Sequence, residues 1–493
     1  MKYRIIGLIS AAVCSLALFS SCSDGKMPEM EQVPELPDRE DNISGEVYDY
    51  TVTMKPERPY MHDYDRTLMM KLFLARPDGQ GGSKVGLTFA DALDVIKGLD
   101  VITRGLPKIV YLVGWQYEGH DWKYPAFHEF NESLRRPEDA SARDSYLWLQ
   151  KEAKKYNTTV SVHMLVHDAE PNSPLWDEYV ENDLICRDVE GNLISRAVFN
   201  GLPMYDVNLA AEWEKGYLQK RLDELIGIAN LGDARTVHCD AFYARESPYH
   251  GDYMAEQEIA MRKMLRYMRD RGVDVTVEFL HNGQRCDPMI GLSPAVWWLD
   301  MSAAERAALP ASLIAGGQEG KFGRLWHKET FLFGDNYQGE DDFNFVDCDP
   351  SKDMARAWKK AKYGIATRTL PYMYFKSHKI VEYDADSQTV TYSGGLVADY
   401  PGRTVARNGI LLRDGDDVFF PVVWNEMEIV AYSRNGYTDR SWTLPEDWKD
   451  IRTVSVCELT EKGEGEPVVL DVKEGTLTLT LAGDSMVSVR PVF

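Results

Sequence analysis

The chain lacks the cysteine pattern, the basic charge and the nucleotide-binding motifs that define several classes of protein. After Cys22 only five scattered cysteines follow, at positions 186, 239, 286, 348 and 457, and this odd set excludes a disulfide framework or a zinc ribbon. The 493 residues carry 78 acidic and 55 basic side chains, a net charge of −23, which would repel nucleic acid phosphates. Neither a phosphate-binding glycine loop nor a nucleophile elbow occurs. We therefore expect no nucleic acid partner.

The first residues indicate the cellular compartment. Lys2 and Arg4 precede an apolar stretch, residues 5–19, which is too short to span a bilayer. Small residues then lead to Cys22, an order typical of a bacterial lipoprotein signal peptide at residues 1–21 with Cys22 as the lipid anchor. Residues 22–60 are then expected to form the anchor and a flexible tether, since their first half is polar and rich in proline and acid. We expect a lipid-anchored protein of the Gram-negative envelope, in the outer membrane and surface-exposed, with lipid as the only membrane contact.

The rest of the chain has two successive patterns, first alternating strands and helices and then strands alone. Across residues 61–385, apolar runs alternate with helical stretches, which predicts an α/β fold, a (βα)8 barrel of the TIM type. The candidate barrel strands are residues 108–114, 158–163, 203–207, 236–243, 273–280, 294–299, 323–327 and 369–375. Residues 386–493 hold short alternating runs separated by Gly and Asp turns, which predicts a small antiparallel β-sandwich packed against the barrel.

Two acidic residues lie at the ends of two of these predicted strands. Asp240 ends one β-branched run and Glu278 ends another. The carboxyl ends of barrel strands open onto the active-site face, and a pair of carboxylates there is what glycoside hydrolysis uses. The alternative for each acid is that it only accepts hydrogen bonds from a nearby loop.

Residues 113–125, Val-Gly-Trp-Gln-Tyr-Glu-Gly-His-Asp-Trp-Lys-Tyr-Pro, resemble a signature of glycoside hydrolase family 101. The segments 161–171, 238–243 and 275–278 follow in the order of the family strands that bear a histidine, the nucleophile and the acid/base. The family consists of retaining endo-α-N-acetylgalactosaminidases that release O-linked glycans from mucin-type proteins. The resemblance covers about residues 85–380 and implies an O-linked glycan or glycopeptide as substrate.

The resemblance also implies roles for individual residues. Asp240 would attack the anomeric carbon, and Glu278 would hold a proton near neutrality and donate it to the departing oxygen. Asp121 would hold sugar hydroxyls through charge-assisted hydrogen bonds. The further candidates for contact with the substrate are Trp115, His120, His163, Asp206, Trp298 and Trp326. The three tryptophans lie at predicted strand ends, where each either stacks on a sugar ring or belongs to the core.

The chain departs from the family in two respects. Family members are larger, with further β domains. Their pair of lid tryptophans would fall near residue 200, but residues 196–205 contain no tryptophan. We therefore expect a more open pocket that tolerates sugars beyond the usual core disaccharide.

The sequence leaves two other functions open and contains two segments that resemble metal sites. The function could instead be glycan binding by a surface lipoprotein on a barrel scaffold, or hydrolysis of another α-linkage. His163 and His167 have the spacing of a zinc pair on a helix, but their segment is predicted as strand into loop. Residues 347–353 resemble the start of a calcium loop, but Lys352 takes the glycine position. We expect no metal and no cofactor.

Overall fold

A computed structural model describes residues 43–279, 289–299, 301–317, 319–320, 324–325, 327–339, 342–345 and 350–493. The chain divides into two units, residues 1–41 and residues 42–493, and the second holds the barrel and the antiparallel domain. The predicted signal peptide, Cys22 and the first part of the tether lie outside the described residues. None of the helices in the described ranges has the length and hydropathy needed to cross a membrane.

Eight parallel strands form the central sheet. In chain order these are β1 Leu68–Phe73, β2 Lys108–Val113, β3 Thr158–Leu165, β4 Thr236–Asp240, β5 Asp274–Val277, β6 Ala295–Trp298, β7 Ala315–Gly317 and β8 Tyr337–Gln338. The spatial order is β7-β6-β5-β4-β3-β2-β1-β8. A Cβ placed on Gly317 would lie 3.5 Å from the Cβ of Tyr337, so the two edge strands approach each other and the barrel is nearly closed. The predicted barrel is confirmed.

Helices cover the outside of the barrel. They are α1 Phe89–Ile102, α2 Ala142–Ala153, α3 Trp176–Glu181, α4 Leu209–Glu214, α5 Tyr217–Ile228, α6 Leu231–Ala234, α7 Met254–Asp270, α8 Ala303–Ala308, α9 His327–Phe333, α10 Pro350–Gly364 and α11 Leu370–Lys376. Thr88 and Asp91 form a capping box at the start of α1, which satisfies amide groups that the first turn leaves open. Strands such as β2 are buried along their whole length, because a parallel sheet has helices on one face and barrel core on the other.

Several of the predicted strands differ from the observed ones. Residues 203–207 overlap a strand, Leu202–Asp206, but it pairs with Ser195–Phe199 and Asp168–Ala169 in a small sheet outside the barrel. Within 323–327, Arg324–Leu325 pairs antiparallel with Glu319–Gly320. Residues 369–375 are helical instead, because a buried apolar run has no periodicity that separates helix from strand.

The barrel strands that were missed lie at its seam. The run that forms β1 was not predicted as a strand, and β7 and β8 have only three and two residues. Such short strands give too few residues for an alternating pattern to stand out.

An antiparallel sheet domain follows the barrel and confirms the predicted second domain. Its main sheet contains Ile380–Asp384, Thr389–Tyr392, Leu396–Asp399, Thr404–Arg407, Ile410–Asp414, Asp417–Pro421, Ile429–Ser433, Thr453–Thr460, Gly463–Glu464, Val468–Asp471 and Ser485–Pro491. A second layer pairs Tyr437–Thr443 with Thr476–Leu481. Buried side chains such as Phe419 and Trp442, whose rings stack 5.2 Å apart, fill the space between the layers.

Candidate active site

The carboxyl ends of β4 and β5 bring two acidic residues together. Asp240 is the last residue of β4, and Glu278 directly follows β5. The strands pair in register, with Cys239 opposite Val277. The amide of Ala241 donates a hydrogen bond of 3.0 Å to Glu278 Oε2. The two predicted catalytic residues therefore lie on neighbouring strands at one rim of the barrel, linked through the residue that follows Asp240.

Three basic side chains surround the Asp240 carboxylate. Lys71 Nζ donates to Oδ1 over 2.9 Å. His163 Nε2 lies 3.3 Å from Oδ2, and His238 Nε2 lies 3.5 Å from Oδ1. Lys71 and both histidines are buried, and Asp240 is 17% exposed. The carboxylate is thus held in place and remains accessible from the pocket.

These contacts determine the ionisation state of Asp240. Burial by itself would raise its pKa, but the Lys71 ammonium and the nearby rings of His163 and His238 lower the pKa well below its usual range. Burial, reinforced by the Lys71 charge, lowers the pKa of His238 to about 3. His238 is therefore neutral near pH 7, and its Nδ1 lies 2.9 Å from the Tyr337 hydroxyl. Asp240 is an anion at any pH at which the protein is expected to work.

Lys71, like His238, was not among the site residues predicted from the sequence. It lies in the middle of β1, 1% exposed, with its ammonium 4.5 Å from the centre of the Trp297 ring. A buried lysine needs a counter-ion, and Asp240 supplies it. A single lysine inside the apolar run Leu-Met-Met-Lys-Leu-Phe was the available signal.

The loop after β2 carries the motif Gly119-His120-Asp121. The amide of His120 donates to the Ala75 carbonyl over 2.8 Å. A Cβ on Gly119, whose φ is +138°, would lie 2.4 Å from the Arg76 Cα. Only glycine allows this close approach, and the contact fixes the loop so that the two following side chains are held at the rim.

His120 and Asp121 have shifted pKa values. His120 Nε2 lies 3.2 Å from Asp121 Oδ1, and its ring centre is 5.7 Å from that of His163. Burial, with the nearby His163, lowers the pKa of His120 to about 3. Burial and the negative charge of Asp240 raise the pKa of Asp121 well above its usual range. The unliganded site therefore favours a neutral Asp121, which differs from the charge-assisted contact expected from the sequence.

The side chains of His120, Asp121 and His163 also have the spacing of metal ligands. One ligand atom from each lies within 4.8 Å of the others. The same nitrogen and oxygen atoms match the hydroxyl groups of a sugar, and His163 already contacts the Asp240 carboxylate. Of residues 347–353, the segment that resembles the start of a calcium loop but is expected to hold no metal, those up to 349 lie outside the described residues, and Pro350 begins α10.

A β-hairpin lies against this loop. Its strands are Ser195–Phe199 and Leu202–Asp206, and Asn200 and Gly201 form the turn with φ of 47° and 82°. The Asn200 amide donates to the carbonyls of His120 and Asp121 over 3.0 and 3.1 Å. Asn-Gly between two such runs is a strong hairpin signal that the sequence analysis did not use.

Phe199 occupies the region where the lid tryptophans were expected. Its ring centre lies 5.8 Å from that of His120, edge to face, and the side chain is 39% exposed. The hairpin tip thus supplies an aromatic side chain at the rim of the site.

Two of the remaining predicted contact residues, Asp206 and Trp115, lie where they do not face a sugar. Asp206 is buried and accepts from Arg245 Nη1 over 2.8 Å, and Arg245 also binds Asp168. This ion cluster joins the hairpin to the barrel, so the structure gives Asp206 a supporting position. Trp115 is 1% exposed, packs 4.8 Å from Phe130 and donates to the His163 carbonyl. It therefore presents no face to a sugar.

Two tryptophans complete the predicted set. Trp298, at the end of β6, is half-buried and its ring centre lies 5.3 Å from that of Phe279, next to Glu278. It borders the carboxylate pair. Trp326 lies outside the described residues.

Residues 76–288 match the sequence model of the family described as endo-alpha-N-acetylgalactosaminidase, glycoside hydrolase family 101. The predicted resemblance to this glycoside hydrolase family is confirmed over these residues. The match contains the Gly119 loop, β3, β4 and β5, whereas β1 with Lys71 and β6 with Trp298 lie outside it.

One solved structure, with a TM-score of 0.50, has a similar fold. An alpha-N-acetylgalactosaminidase from Bifidobacterium bifidum, NagBb (quadruple mutant), is 10% identical with a TM-score of 0.50, over 70% of this chain and 57% of that one. The GH36 alpha-galactosidase AgaA from Geobacillus stearothermophilus is 11% identical with a TM-score of 0.43, over 88% of this chain and 57% of that one. The match therefore spans little more than half the length of either protein.

Proposed function

We propose that the chain is a retaining glycoside hydrolase that cleaves α-linked N-acetylgalactosamine O-glycans from mucin-type glycoproteins. The observation that supports this most is the Asp240 carboxylate, held ionised by Lys71 at 2.9 Å next to Glu278 on the adjacent strand. An ionised nucleophile beside a second carboxyl group is what double displacement requires. The family match of residues 76–288 supports the choice of sugar.

The first step would form a glycosyl ester. An Asp240 oxygen attacks the anomeric carbon while the bond from that carbon to the Ser or Thr oxygen breaks. Glu278 transfers its proton to the departing oxygen, so that a neutral hydroxyl leaves. The Ala241 amide at Glu278 Oε2 orients the carboxyl group, and the other oxygen carries the proton.

The second step would release the sugar. Glu278, now a carboxylate, accepts a proton from water, and the water oxygen attacks the anomeric carbon as the Asp240 ester bond breaks. Two inversions at this carbon give net retention. Retaining enzymes hold the two carboxyl groups about 5–5.5 Å apart, and adjacent residues of paired strands suit that separation.

His120, Asp121 and His163 would hold the sugar in the pocket. Their polar atoms lie within 4.8 Å of one another, a spacing that can bind neighbouring ring hydroxyls. A neutral Asp121 both donates and accepts a hydrogen bond. It can therefore bind a sugar hydroxyl as well as an ionised Asp121 would. We propose no metal or cofactor in this reaction.

Release of glycan from a defined mucin-type glycopeptide, followed by mass spectrometry, tests the activity. Proton NMR of the first product reports its anomer, and an α-anomer is expected. A β-anomer would exclude double displacement. Binding without turnover, equal in the wild type and in Asp240→Asn, would instead support a glycan-binding scaffold.

We also propose that the protein is tethered to the envelope through Cys22, most simply at the outer membrane. The order of basic, apolar and small residues before Cys22 supports this. A glycopeptide substrate outside the cell is consistent with such a location.

A further inference from the structure

A second cavity lies away from the carboxylate pair, where the barrel meets the antiparallel domain. It has a volume of about 370 Å³ and is bordered by α8, the residues after it, α11 and the first strands of the antiparallel domain. Its volume falls within the ~300–1,000 Å³ of small-molecule sites.

Arg306 of α8 lines the cavity as a buried cation. Its side chain is 4% exposed, and Nη1 donates to the Ile314 carbonyl over 3.2 Å. Among the described residues, no carboxylate forms an ion pair with Arg306. Asp335 is close enough for its charge to influence Arg306, but its ion pair is with Arg368. A buried guanidinium without a counter-ion is costly. Arg306 therefore favours an anion in the cavity.

The other polar groups of the cavity also favour a negatively charged ligand. Lys379 is exposed at its mouth, and Lys376 lies beside it, paired with Asp65. No aspartate or glutamate is among its lining residues, all of which the structure describes, although the chain has 78 acidic and 55 basic residues. The Tyr372 hydroxyl is buried in the cavity wall beside the Arg306 guanidinium.

Aromatic side chains form the floor. Phe333, Tyr372, Phe375 and Tyr392 line the cavity and are buried. The rings of Phe375 and Tyr392 stack with centres 5.0 Å apart. An inorganic anion would leave these faces and most of the volume unused, whereas a sugar ring packs on aromatic faces.

We propose that this cavity is a second carbohydrate site for a sugar acid, a pyranose ring that carries a carboxylate. The carboxylate pairs with Arg306, with Lys379 at the mouth adding charge. The Tyr372 hydroxyl hydrogen bonds to a ring hydroxyl, and the ring packs on the aromatic floor. The site recognises an acidic sugar of a glycan separately from the bond that is cleaved.

Ligand titration of the full chain with glucuronate, followed by NMR, tests the proposal, with glucose as the matched neutral sugar. We expect glucuronate to bind at least about tenfold more tightly than glucose, because a charge-assisted hydrogen bond is lost with the carboxylate. Asp240→Asn should bind glucuronate as the wild type does, which separates this cavity from the active site. Equal affinity for the two sugars would overturn the assignment.

Variants locate the binding. Arg306→Gln should abolish it, and because this change is buried, Lys379→Glu and Tyr372→Phe serve as milder variants. Each should weaken glucuronate binding by about three- to tenfold, and Lys379→Glu should retain wild-type glycosidase activity. Unchanged binding in both milder variants, or complete displacement of glucuronate by an equal concentration of acetate, would contradict a sugar-acid site.

Discussion

Lys71 and Asp240 lie 169 residues apart in the chain and form a hydrogen-bonded ion pair of 2.9 Å inside the barrel, at its active-site rim. The pair joins β1 to β4, two strands that do not pair with each other in the sheet. Because both partners are shielded from water, the attraction is stronger than at a surface. In the proposed reaction Lys71 would therefore act through Asp240, as a positioning residue.

Replacing this lysine should alter the pH profile as well as the rate. In Lys71→Met the pKa of Asp240 rises toward its usual value or above, since burial is no longer opposed by the ammonium. We expect kcat/KM to fall roughly 100-fold and its acidic limb to move to higher pH. Initial rates across the pH range measure both. Lys379→Met is the control, and an acidic limb at the wild-type pH in Lys71→Met would remove Lys71 from this role.

The two carboxylates should respond differently to the leaving group. Asp240→Asn should abolish turnover of every substrate, because no other side chain replaces the nucleophile. Glu278→Gln should be nearly inactive on a glycopeptide but partly active on an aryl glycoside, whose leaving group needs little protonation. Rates on both substrates test this. Equal losses on the two substrates would assign the acid role to another residue.

The effect of replacing Asp121 should depend on whether its carboxyl group is neutral or ionised in the site. Asp121→Ala removes the hydrogen-bonding group and should lower kcat/KM by about two orders of magnitude at an unchanged melting temperature. Asp121→Asn keeps a neutral donor and acceptor, so it should retain much more activity, since the pKa of Asp121 is raised. If Asn is as damaging as Ala, the group works as an anion instead. A lower melting temperature with normal kcat/KM would make Asp121 a loop residue only.

Buried histidines should make folding sensitive to acid. The pKa of His120 and of His238 is lowered to about 3 in the folded chain, against ~6.5 when unfolded. Between those values the unfolded chain binds protons that the folded chain does not, so the free energy of unfolding falls as the pH falls below ~6.5. The maximum effect is about 1.4 kcal/mol per pH unit for each histidine.

Asp121 contributes with the opposite sign, because its pKa is raised and its contribution to stability is lost as the pH rises. The histidine effect is therefore best measured as a difference. Urea unfolding of the wild type and of His238→Gln between about pH 7 and pH 5 should give a shallower dependence in the variant. Parallel curves would show that His238 takes up protons equally in the folded and unfolded states, and would contradict its lowered pKa.

Acylation of Cys22 should direct the protein to membranes. Metabolic labelling with a clickable fatty acid should label the wild type, and Cys22→Ala should lose the label and the membrane fraction. Cys14→Ala, a change within the apolar stretch, is the matched control and should label normally. Equal labelling of the Cys22 variant would contradict the anchor.

Local pattern in the sequence was sufficient for the elements that carry the acids. The runs that end at Asp240 and Glu278 are β-branched and buried, and the helices before them have clear apolar faces. Parallel strands with helices between them leave few alternatives to a barrel. The Gly-His-Asp loop was recognisable because its motif is long. In each case the signal lies within about a dozen neighbouring residues.

Tertiary structure alone decided how those acids are controlled. Lys71 looked like an interruption in an apolar run, and only barrel closure brings it to Asp240. The raised pKa of Asp121 depends on burial and on charges from other strands, which no local pattern records. The same holds for Arg306, whose place in the second cavity comes from two domains packing together. Sequence neighbours determine which element forms, whereas ionisation depends on distances between residues far apart in the chain.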